Sequence, residues 1–383
     1  MRDVLEDLER WWLAGDAVGM ATVVATWRSA PRPAGAVLLV GPDGSAAGSV
    51  SGGCVEGAVY DLAATAARTG VPVRQRYGVS DDDAFAVGLT CGGTVDLFVE
   101  RVDRATFPQL GGVVQGIRSG TPVAVATCVD AGAADPGRRL GRRIVVWGEH
   151  SEGTLGTDRL DAAVTDDARG LLAAGRSSTL RYGYDGQRRG DDLAVFVSAF
   201  APQPRMIVFG AIDFAAAVAR IGVLLNYRVT VCDARPIFAT TRRFPEADEV
   251  VVDWPHRYLR AQAEAGRLDG RTVVCVLTHD PKFDAPLLEV ALRLDLAYVG
   301  AMGSRRTAAD RLARLRAAGL TDVELERLRS PIGLDLGART PEETAVSIAA
   351  EIIAARWAGS GRPLHGLTGR IHADADQTPP DAR

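Results

Sequence analysis

Apolar and polar residues alternate in two different patterns over the first 120 residues. Near the start, apolar residues recur at the spacing of one helix face, at Val4, Leu5, Leu8, Trp11 and Trp12. Asp3 precedes them as the candidate helix cap. Strand patterns cover 20–27 and 95–102, and a hairpin pattern over 36–44 is followed by a helical pattern over 55–68. This order predicts an N-terminal domain of the α+β class.

The stretch from 121 to 200 continues with strand patterns over 123–129 and 144–147 and a helical pattern over 159–174. It carries no motif that indicates a function, and its start could continue the first sheet. The segment Ala-Pro-Gln-Pro-Arg at 201–205 has two prolines and no apolar run, which is typical of a linker. We therefore expect the first domain to span residues 1–200.

From Met206 onward, short apolar strands alternate with helical segments. The strand candidates are 206–209, 228–232, 249–252, 272–277 and 297–300. Alternation of this kind predicts a Rossmann-like, doubly wound parallel sheet over 205–358, so the second domain is of the α/β class.

The last helix has a clear start signal. Thr340 is a candidate cap, Pro341 takes the first helical position and Glu343 completes a capping box. We expect this helix to run to about residue 358 and to bury one apolar face, made of Ala345, Ile348, Ala349, Ile352 and Ile353. Residues 359–383 are rich in Gly, Pro and Asp, which favours a disordered tail.

The composition narrows the classes of function. A chain of 383 residues with 47% hydrophobic residues exceeds one ordinary core and supports about two domains. The net charge of −4 and the lack of basic blocks argue against a nucleic-acid partner. The five cysteines form no C-x-x-C pair, which indicates a reducing compartment. The acidic N-terminus and the lack of an apolar run of ~18 residues argue against a signal peptide or a membrane span, so we expect a cytoplasmic protein.

Two cysteines of the N-terminal domain each adjoin a glycine pair, in Ser51-Gly52-Gly53-Cys54-Val55-Glu56 and in Cys91-Gly92-Gly93. Glycine pairs allow φ > 0 and leave backbone N–H groups open, so a flat, polar, anionic cofactor could lie against the main chain. Either cysteine could equally be a small buried residue with a structural role. Together the two loops predict a binding site in the first domain.

The second domain carries part of a dinucleotide-binding fingerprint. Gly210 follows the first strand and Asp233 ends the second, as in a Rossmann site. The second glycine is replaced by Ile212, whose side chain would stand where the phosphates lie. Asp213 is expected to cap the helix and to occupy its free N–H groups. NAD(P) binding is therefore disfavoured, and Asp233 could be a simple turn residue.

Several motifs together resemble the xanthine dehydrogenase accessory factors, the XdhC/CoxI family, over nearly all of positions 1 to 360. They are residues 48–56, 91–94, 243–248, 277–280, 303–306 and 330–343. The resemblance implies a carrier rather than a catalyst. Such a protein binds the molybdenum cofactor (molybdopterin), protects it while its terminal sulfur ligand is installed, and delivers it to a hydroxylase of the xanthine or carbon monoxide dehydrogenase type. A cysteine desulfurase is the implied sulfur donor, and a homodimer is the expected assembly.

The same resemblance makes particular residues candidates for the cofactor. The phosphate candidates are Gly303, Ser304, Arg305 and Arg306, at a predicted helix start. Two surface arginines could also serve only in ion pairs. Molybdenum or a transferable sulfur could contact Cys54 or Cys91, since soft metals favour thiolates.

Carboxylates suit the donors of the pterin ring, and Glu56, Asp233 and Asp280 are the candidates. His279 follows a predicted strand at the carboxyl edge of the sheet, where doubly wound folds bind ligands, although it could be a loop residue bonded to the backbone.

We expect the cofactor to lie in the cleft between the two domains. One alternative function is an NAD(P)-dependent oxidoreductase that uses the Rossmann-like domain with Cys54 or His279 in the chemistry. Another is a protein that only docks a partner through its first domain. The family also usually has Gly-x-Gly-His after the first Rossmann strand, and here Gly210-Ala211-Ile212-Asp213 departs from that pattern.

Overall fold

The computed structural model describes residues 1–27, 32–78, 93–132, 139–278 and 280–368. The chain divides into two units, Met1–Pro202 and Gln203–Leu367, which are described separately. Most of the predicted tail, from residue 369 on, lies outside the described residues. Within the described ranges, the helices are too short or too polar to cross a membrane.

The first half of the first unit is an antiparallel five-stranded sheet in the order β3-β2-β1-β5-β4. Its elements are α1 (Leu5–Ala14), β1 (Val18–Trp27), β2 (Val37–Val40), β3 (Ala46–Gly48), α2 (Glu56–Thr69), β4 (Val73–Tyr77) and β5 (Thr94–Val102). Helix α2 covers one face of the sheet, because Val59 and Ala63 pack in one core with Val23 and Leu97. The predicted hairpin and the α+β class are confirmed here.

The second half repeats the first. Its elements are α3 (Leu110–Ser119), β6 (Val123–Asp130), β7 (Arg143–Trp147), β8 (Ser151–Gly153), α4 (Asp158–Ala174), β9 (Ser178–Tyr182) and β10 (Leu193–Phe200). The strand order is β8-β7-β6-β10-β9, so each strand takes the place of its counterpart about 105 residues earlier. The stretch that could have continued the first sheet is instead a second copy of it.

Two equivalent glycines, one in each copy, show how closely the two copies agree. Gly48 ends β3 with φ +85°, and Gly153 ends β8 with φ +95°. A Cβ on Gly48 would collide with the carbonyl of Val37, and a Cβ on Gly153 would collide with the carbonyl of Arg143. Val37 and Arg143 are the first residues of β2 and β7, so the same close approach is built twice.

The inner faces of the two sheets meet at matching positions. A cavity of about 30 Å³ between them is lined by Met20, Thr22, Val24 and Phe98 of the first sheet and by Val125, Thr127, Val129 and Phe196 of the second. Each residue of the first set has its counterpart in the second. The first unit is therefore a sandwich of two related sheets, and the helices α2 and α4 cover their outer faces.

The second unit is a six-stranded parallel sheet in the order β13-β12-β11-β14-β15-β16, the Rossmann order. Its strands are β11 (Arg205–Phe209), β12 (Arg228–Asp233), β13 (Glu249–Val252), β14 (Val273–Val276), β15 (Tyr298–Ala301) and β16 (Leu328–Arg329). Its helices are α5 (Asp213–Leu224), α6 (Pro255–Glu264), α7 (Pro281–Ala291), α8 (Arg305–Ala317), α9 (Asp322–Glu326) and α10 (Pro341–Trp357).

Both faces of this sheet are covered, as the doubly wound pattern predicts. Helices α5 and α10 pack on one face, and α6, α7 and α8 pack on the other. The capping box of Thr340 and Glu343 is present at the start of α10. The predicted Rossmann-like fold is thus confirmed.

Three local expectations were wrong. Asp3 lies in a short 3₁₀ turn and does not cap α1. Ile353 is 44% exposed, because it faces away from the buried side of α10. Asp213 is the first residue of α5 rather than its cap, and Ile212 holds the cap position without a side-chain hydrogen bond. Helix α5 therefore begins one residue earlier than it would with Asp213 as its cap.

Candidate functional site

The first glycine–cysteine segment and Gly93, the described residue of the second, lie at the same edge of the first sheet. β1 ends at Trp27, opposite Thr94 at the start of β5. β2 runs antiparallel to β1, so the start of β2 lies toward the end of β1. Gly48, the last residue of β3, pairs with Leu38 near that start. The loop that follows β3, residues 49–55, and buried Gly93 before β5 therefore lie at one edge. Cys91 and Gly92 lie outside the described residues.

The glycine–cysteine loop, residues 49–55, is organised by the first side chain of α2. The carboxylate of Glu56 accepts hydrogen bonds from the Ser49 hydroxyl at 2.7 Å, the Ser51 N–H at 2.9 Å and the Gly53 N–H at 2.8 Å. The Ser51 hydroxyl also donates to it. The Ser49 hydroxyl in turn accepts from the Gly52 N–H at 3.0 Å. The anion held by these amides is thus the protein's own carboxylate, so a ligand here has to use other groups.

These hydrogen bonds control the titration of Glu56. Partial burial raises its pKa, but the donors from Ser51 and Ser49 outweigh that effect and lower the pKa to about 2. The carboxylate is therefore ionised at neutral pH.

The rest of the loop is open. Gly52 and Gly53 are exposed, with φ +73° and +117°, and a Cβ on either would meet no other residue's atoms within 4 Å. Cys54 follows them, half-buried against the core of the first sheet. The loop therefore offers main chain with free space beside a thiol.

The structure adds two residues to this edge that the sequence analysis missed. The indole N–H of Trp27 is buried and has no acceptor among the described residues. The Arg32 guanidinium, 40% exposed, donates from Nε to the Ser49 carbonyl at 3.4 Å. Neither belongs to a motif. Arg32 reaches the loop directly, whereas the Trp27 ring lies under the Arg76 guanidinium of β4, which is 4.9 Å from the ring centroid.

The second half of the first unit has the same capping network without the glycine–cysteine chemistry. The Asp161 carboxylate accepts from the Leu155 N–H at 2.7 Å and from the Thr154 hydroxyl at 2.6 Å. The Thr154 hydroxyl accepts from the Gly156 N–H at 3.0 Å, as the Ser49 hydroxyl does in the first copy. The carboxylate cap thus belongs to the shared fold, whereas the glycine pair and cysteine distinguish the first copy.

The other described cysteines are poor ligands. Cys128, Cys232 and Cys275 are buried. Burial raises the pKa of the Cys275 thiol to about 12 and that of Cys232 still further, so both remain protonated. Cys54 is the most accessible thiol in the part of the chain that the structure describes.

In the second unit, the turn after β11 is occupied by internal contacts. The Ala211 N–H donates to the buried Asp233 carboxylate at 2.7 Å. Arg235 donates to the same carboxylate from its backbone N–H, Nε and Nη2. Burial raises the pKa of Asp233, but the Arg235 and Ala211 donors outweigh it and lower the pKa. Both carboxylate oxygens are therefore in use.

The neighbouring side chains close the turn further. Arg243 donates to the Ala211 carbonyl at 3.2 Å and to the exposed Asp213 carboxylate at 3.1 Å. Gly210 has φ +109°, and a Cβ there would lie 3.0 Å from the Thr278 N atom. This glycine is required by the close approach of the β14 loop.

A buried polar network ties together the loops at the carboxyl edge. The Arg311 guanidinium donates to Asp284 at 3.0 Å, to the Met302 carbonyl at 2.8 Å and to the Ser330 hydroxyl at 2.8 Å. The Thr278 hydroxyl donates to the other oxygen of Asp284. The loops after β14, β15 and β16 are thereby held in one arrangement.

Of the predicted site residues on these loops, some are bonded within the protein and others are exposed. Asp280 caps α7, accepts from the Lys282 N–H at 3.1 Å and pairs with its ammonium at 3.2 Å. His279 lies outside the described residues. Ser304 caps α8, and Arg305 and Arg306 are exposed in its first turn. Two cations at the positive end of a helix repel its dipole, an arrangement that an anion would relieve.

The described residues bring no three His, Cys, Asp or Glu side chains together as a metal site. The structure thus shows two separate groups of candidates. One is the edge with Trp27, the glycine–cysteine loop and Gly93, and the other is the carboxyl edge of the second unit.

Comparison with known proteins decides the family. The XdhC and CoxI family model matches residues 11–78 and 117–183, and the XdhC Rossmann domain model matches residues 206–352. The chain belongs to the XdhC and CoxI family. The two stretches matched by one XdhC and CoxI model begin inside α1 and α3, so they fall on the two halves of the first unit.

Relatives of this XdhC and CoxI family chain extend over most of its length. A protein of Bacillus subtilis, named as a probable xanthine dehydrogenase component, is 28% identical over 88% of this chain and 92% of that protein. The molybdenum cofactor insertion chaperone PaoD of Escherichia coli is 25% identical over 90% of this chain and 85% of that protein. A crystal structure described as a xanthine dehydrogenase from Bacillus halodurans has a TM-score of 0.65 at 24% identity, over 92% of this chain and 95% of that one. The last likeness shows the fold.

We predict that Glu56→Gln lowers the free energy of unfolding by about 1 kcal/mol at pH 7, because charged acceptors are lost in a partly screened site. The depressed pKa makes this contribution complete above about pH 4.5 and lost as the pH falls toward 2. Urea unfolding at several pH values measures this contribution to the free energy of unfolding. Asp161→Asn, which removes the equivalent carboxylate from the second copy, is the matched comparison. A gap between wild type and Glu56→Gln that does not shrink in acid would contradict the assignment.

Among the described cysteines, we expect Cys54 to react with iodoacetamide at least about tenfold faster than Cys128, Cys232 and Cys275 in the native protein. Burial hinders access to all three, and it raises the pKa of the Cys232 and Cys275 thiols. Peptide mapping by mass spectrometry follows each thiol separately. Equal rates at Cys54 and Cys275 would show that the loop is closed.

NADH should not saturate the protein at micromolar concentrations, because the Ala211 amide and Asp233 are already bonded to each other. Tryptophan fluorescence during NADH titration provides the measurement. A saturable micromolar transition would show that this turn still accepts a dinucleotide.

Proposed function

We propose that this XdhC and CoxI family protein binds the molybdenum cofactor and delivers it to a molybdenum hydroxylase of the xanthine dehydrogenase type. The observation that carries the proposal is the glycine–cysteine loop. It presents open main chain beside a half-buried thiol, and it does so only in the first of the two copies. The family membership and the name of the relative PaoD support the choice of cofactor.

The residues at this edge fit the chemistry of the cofactor. When bound, it supplies a pterin with several acceptors, a phosphate and a soft molybdenum–dithiolene centre. The buried Trp27 N–H is a donor that needs an acceptor, and pterin nitrogen or oxygen atoms are acceptors. Cys54 is the thiol suited to molybdenum or to its sulfur ligand. Gly52 and Gly53 leave room for a flat ring against the backbone.

The arginines serve the phosphate. Arg32 lies beside the glycine–cysteine loop, and Arg305 and Arg306 occupy the first turn of α8. Guanidinium groups bind phosphate through paired, charge-assisted hydrogen bonds. Glu56 is a positioning residue, because its carboxylate already accepts hydrogen bonds from the N–H groups of the loop.

The protein protects the cofactor from oxidation while a cysteine desulfurase supplies the terminal sulfur, and it acts as a homodimer. The role is that of a carrier. The NAD(P)-dependent alternative is weaker, because the turn after β11 is filled by Asp233, Arg235 and Arg243.

The test is retention of pterin by protein purified without oxygen from cells that make the cofactor. After oxidation, fluorescence of the released pterin gives the amount bound. We expect Cys54→Ser and Trp27→Phe each to weaken retention about tenfold, the effect of losing one interaction of about 1.4 kcal/mol.

Two variants serve as matched controls. Asp161→Asn removes the equivalent cap from the second copy, and Trp147→Phe removes an indole from β7. Both should retain pterin as the wild type does. Full retention by Cys54→Ser and Trp27→Phe would remove the first unit from the proposal, and a wild-type protein without pterin would refute it.

A further inference from the structure

A second pocket lies in the first unit, at the opposite edge of the first sheet from the glycine–cysteine loop. It has a volume of about 350 Å³, within the range of small-molecule sites. The first half contributes the end of α2 and the end of β5, and the second half contributes the start of β7. Its polar lining includes Glu100, Arg101, Gln109, Arg142 and Arg143.

Arg143 is the buried charge of this pocket. Its side chain is 5% exposed, and Nη2 donates to the Glu100 carboxylate at 2.5 Å. The guanidinium lies over the Phe107 ring at 4.3 Å. Its Nε–H is buried and finds no acceptor within the described part of the chain. A buried donor without a partner is costly, and an acceptor on a ligand would remove that cost.

The positive charge exceeds what the neighbouring carboxylates balance. Arg101 pairs with Asp103 at 2.6 Å, and Glu100 faces Arg143. Arg142 is exposed, and no carboxylate of the described residues pairs with it. Three guanidinium groups thus adjoin two carboxylates, which leaves the pocket suited to an anion.

The duplication shows that the fold does not require these charges. Thr22 pairs with Val37 in the first sheet as Thr127 pairs with Arg143 in the second. Val37 is therefore the counterpart of Arg143, and Ala36 precedes Val37 where Arg142 precedes Arg143.

The charged residues that β5 contributes to the pocket also have uncharged counterparts in the other copy. Met20 pairs with Glu100 as Val125 pairs with Ser198, so Ser198 is the counterpart of Glu100. Ala199 takes the place of Arg101 by the same register. The four counterparts in the other copy carry no charge, so the sandwich forms there without an equivalent of the Arg143–Glu100 ion pair.

We propose that this pocket binds a small phosphate-bearing molecule. A tetrahedral phosphate directs its oxygens in several directions and carries more charge, so it can accept from several guanidinium groups at once, whereas the two oxygens of a carboxylate lie in one plane. The volume leaves room for an organic group beside the phosphate. This site is independent of the proposed cofactor site, since it shares no residue with the glycine–cysteine loop.

Isothermal titration of the full-length protein with inorganic phosphate at constant ionic strength tests the proposal. We expect saturable binding that Arg142→Gln weakens about tenfold. The matched control is Arg181→Gln, which removes an exposed arginine of β9 that pairs with Asp191 and does not line the pocket. It should leave the affinity unchanged. Acetate, the carboxylate probe, should bind at least about tenfold more weakly than phosphate.

A double variant addresses the buried pair. Glu100→Ser with Arg143→Val installs the residues of the other copy, so the protein should remain folded and lose phosphate binding by at least about a hundredfold. Circular dichroism and thermal unfolding verify the fold. Absence of saturable phosphate binding in the wild type, equal loss in Arg181→Gln, or unchanged affinity in the folded double variant would each overturn the site. Cys54→Ser should retain phosphate affinity, which separates this outcome from failure of the cofactor proposal.

Discussion

The first unit depends on a carboxylate at the start of a helix that satisfies the backbone of the preceding strand-to-helix loop. Glu56 does this in the first copy and Asp161 in the second. Backbone N–H groups in a tight loop have no partner in a sheet or helix, and leaving them unpaired away from water is costly. The carboxylate removes that cost locally, so the rest of the loop can vary. The first copy uses this freedom for two exposed glycines and a cysteine.

The second unit follows the same physical rule with a different result. Asp233 bonds to the Ala211 amide, the group that a pyrophosphate would meet in a dinucleotide site. An amide bonded to a buried internal carboxylate has no remaining attraction for a ligand anion. In both units, therefore, the turns most suited to anions already hold an anion of the protein. The groups left for a ligand are the Trp27 indole, the Cys54 thiol and the exposed arginines.

The duplication turns the first unit into an internal comparison. Features found in both copies, such as the close approach at Gly48 and Gly153, serve the fold. Features found in one copy are free to serve function. By this criterion the Gly52-Gly53-Cys54 segment and the Arg142-Arg143 pair stand apart, whereas Glu56 does not. The criterion needs no other sequence, because each copy folds with the alternative residues.

Local patterns in the sequence determined the elements of the second unit, the capping box at Thr340 and the family motifs, because spacing and capping act over a few residues. The strand-pairing register decided the rest. It placed Trp27 opposite Thr94, and it showed that residues 121–200 form a second copy of the first sheet. Glycines recurring about 105 residues apart, as at Gly48 and Gly153, could have revealed the copy. No local pattern could reveal that Asp233 fills its own turn or that Arg143 meets Glu100, because those partners are distant in the chain and only packing brings them together.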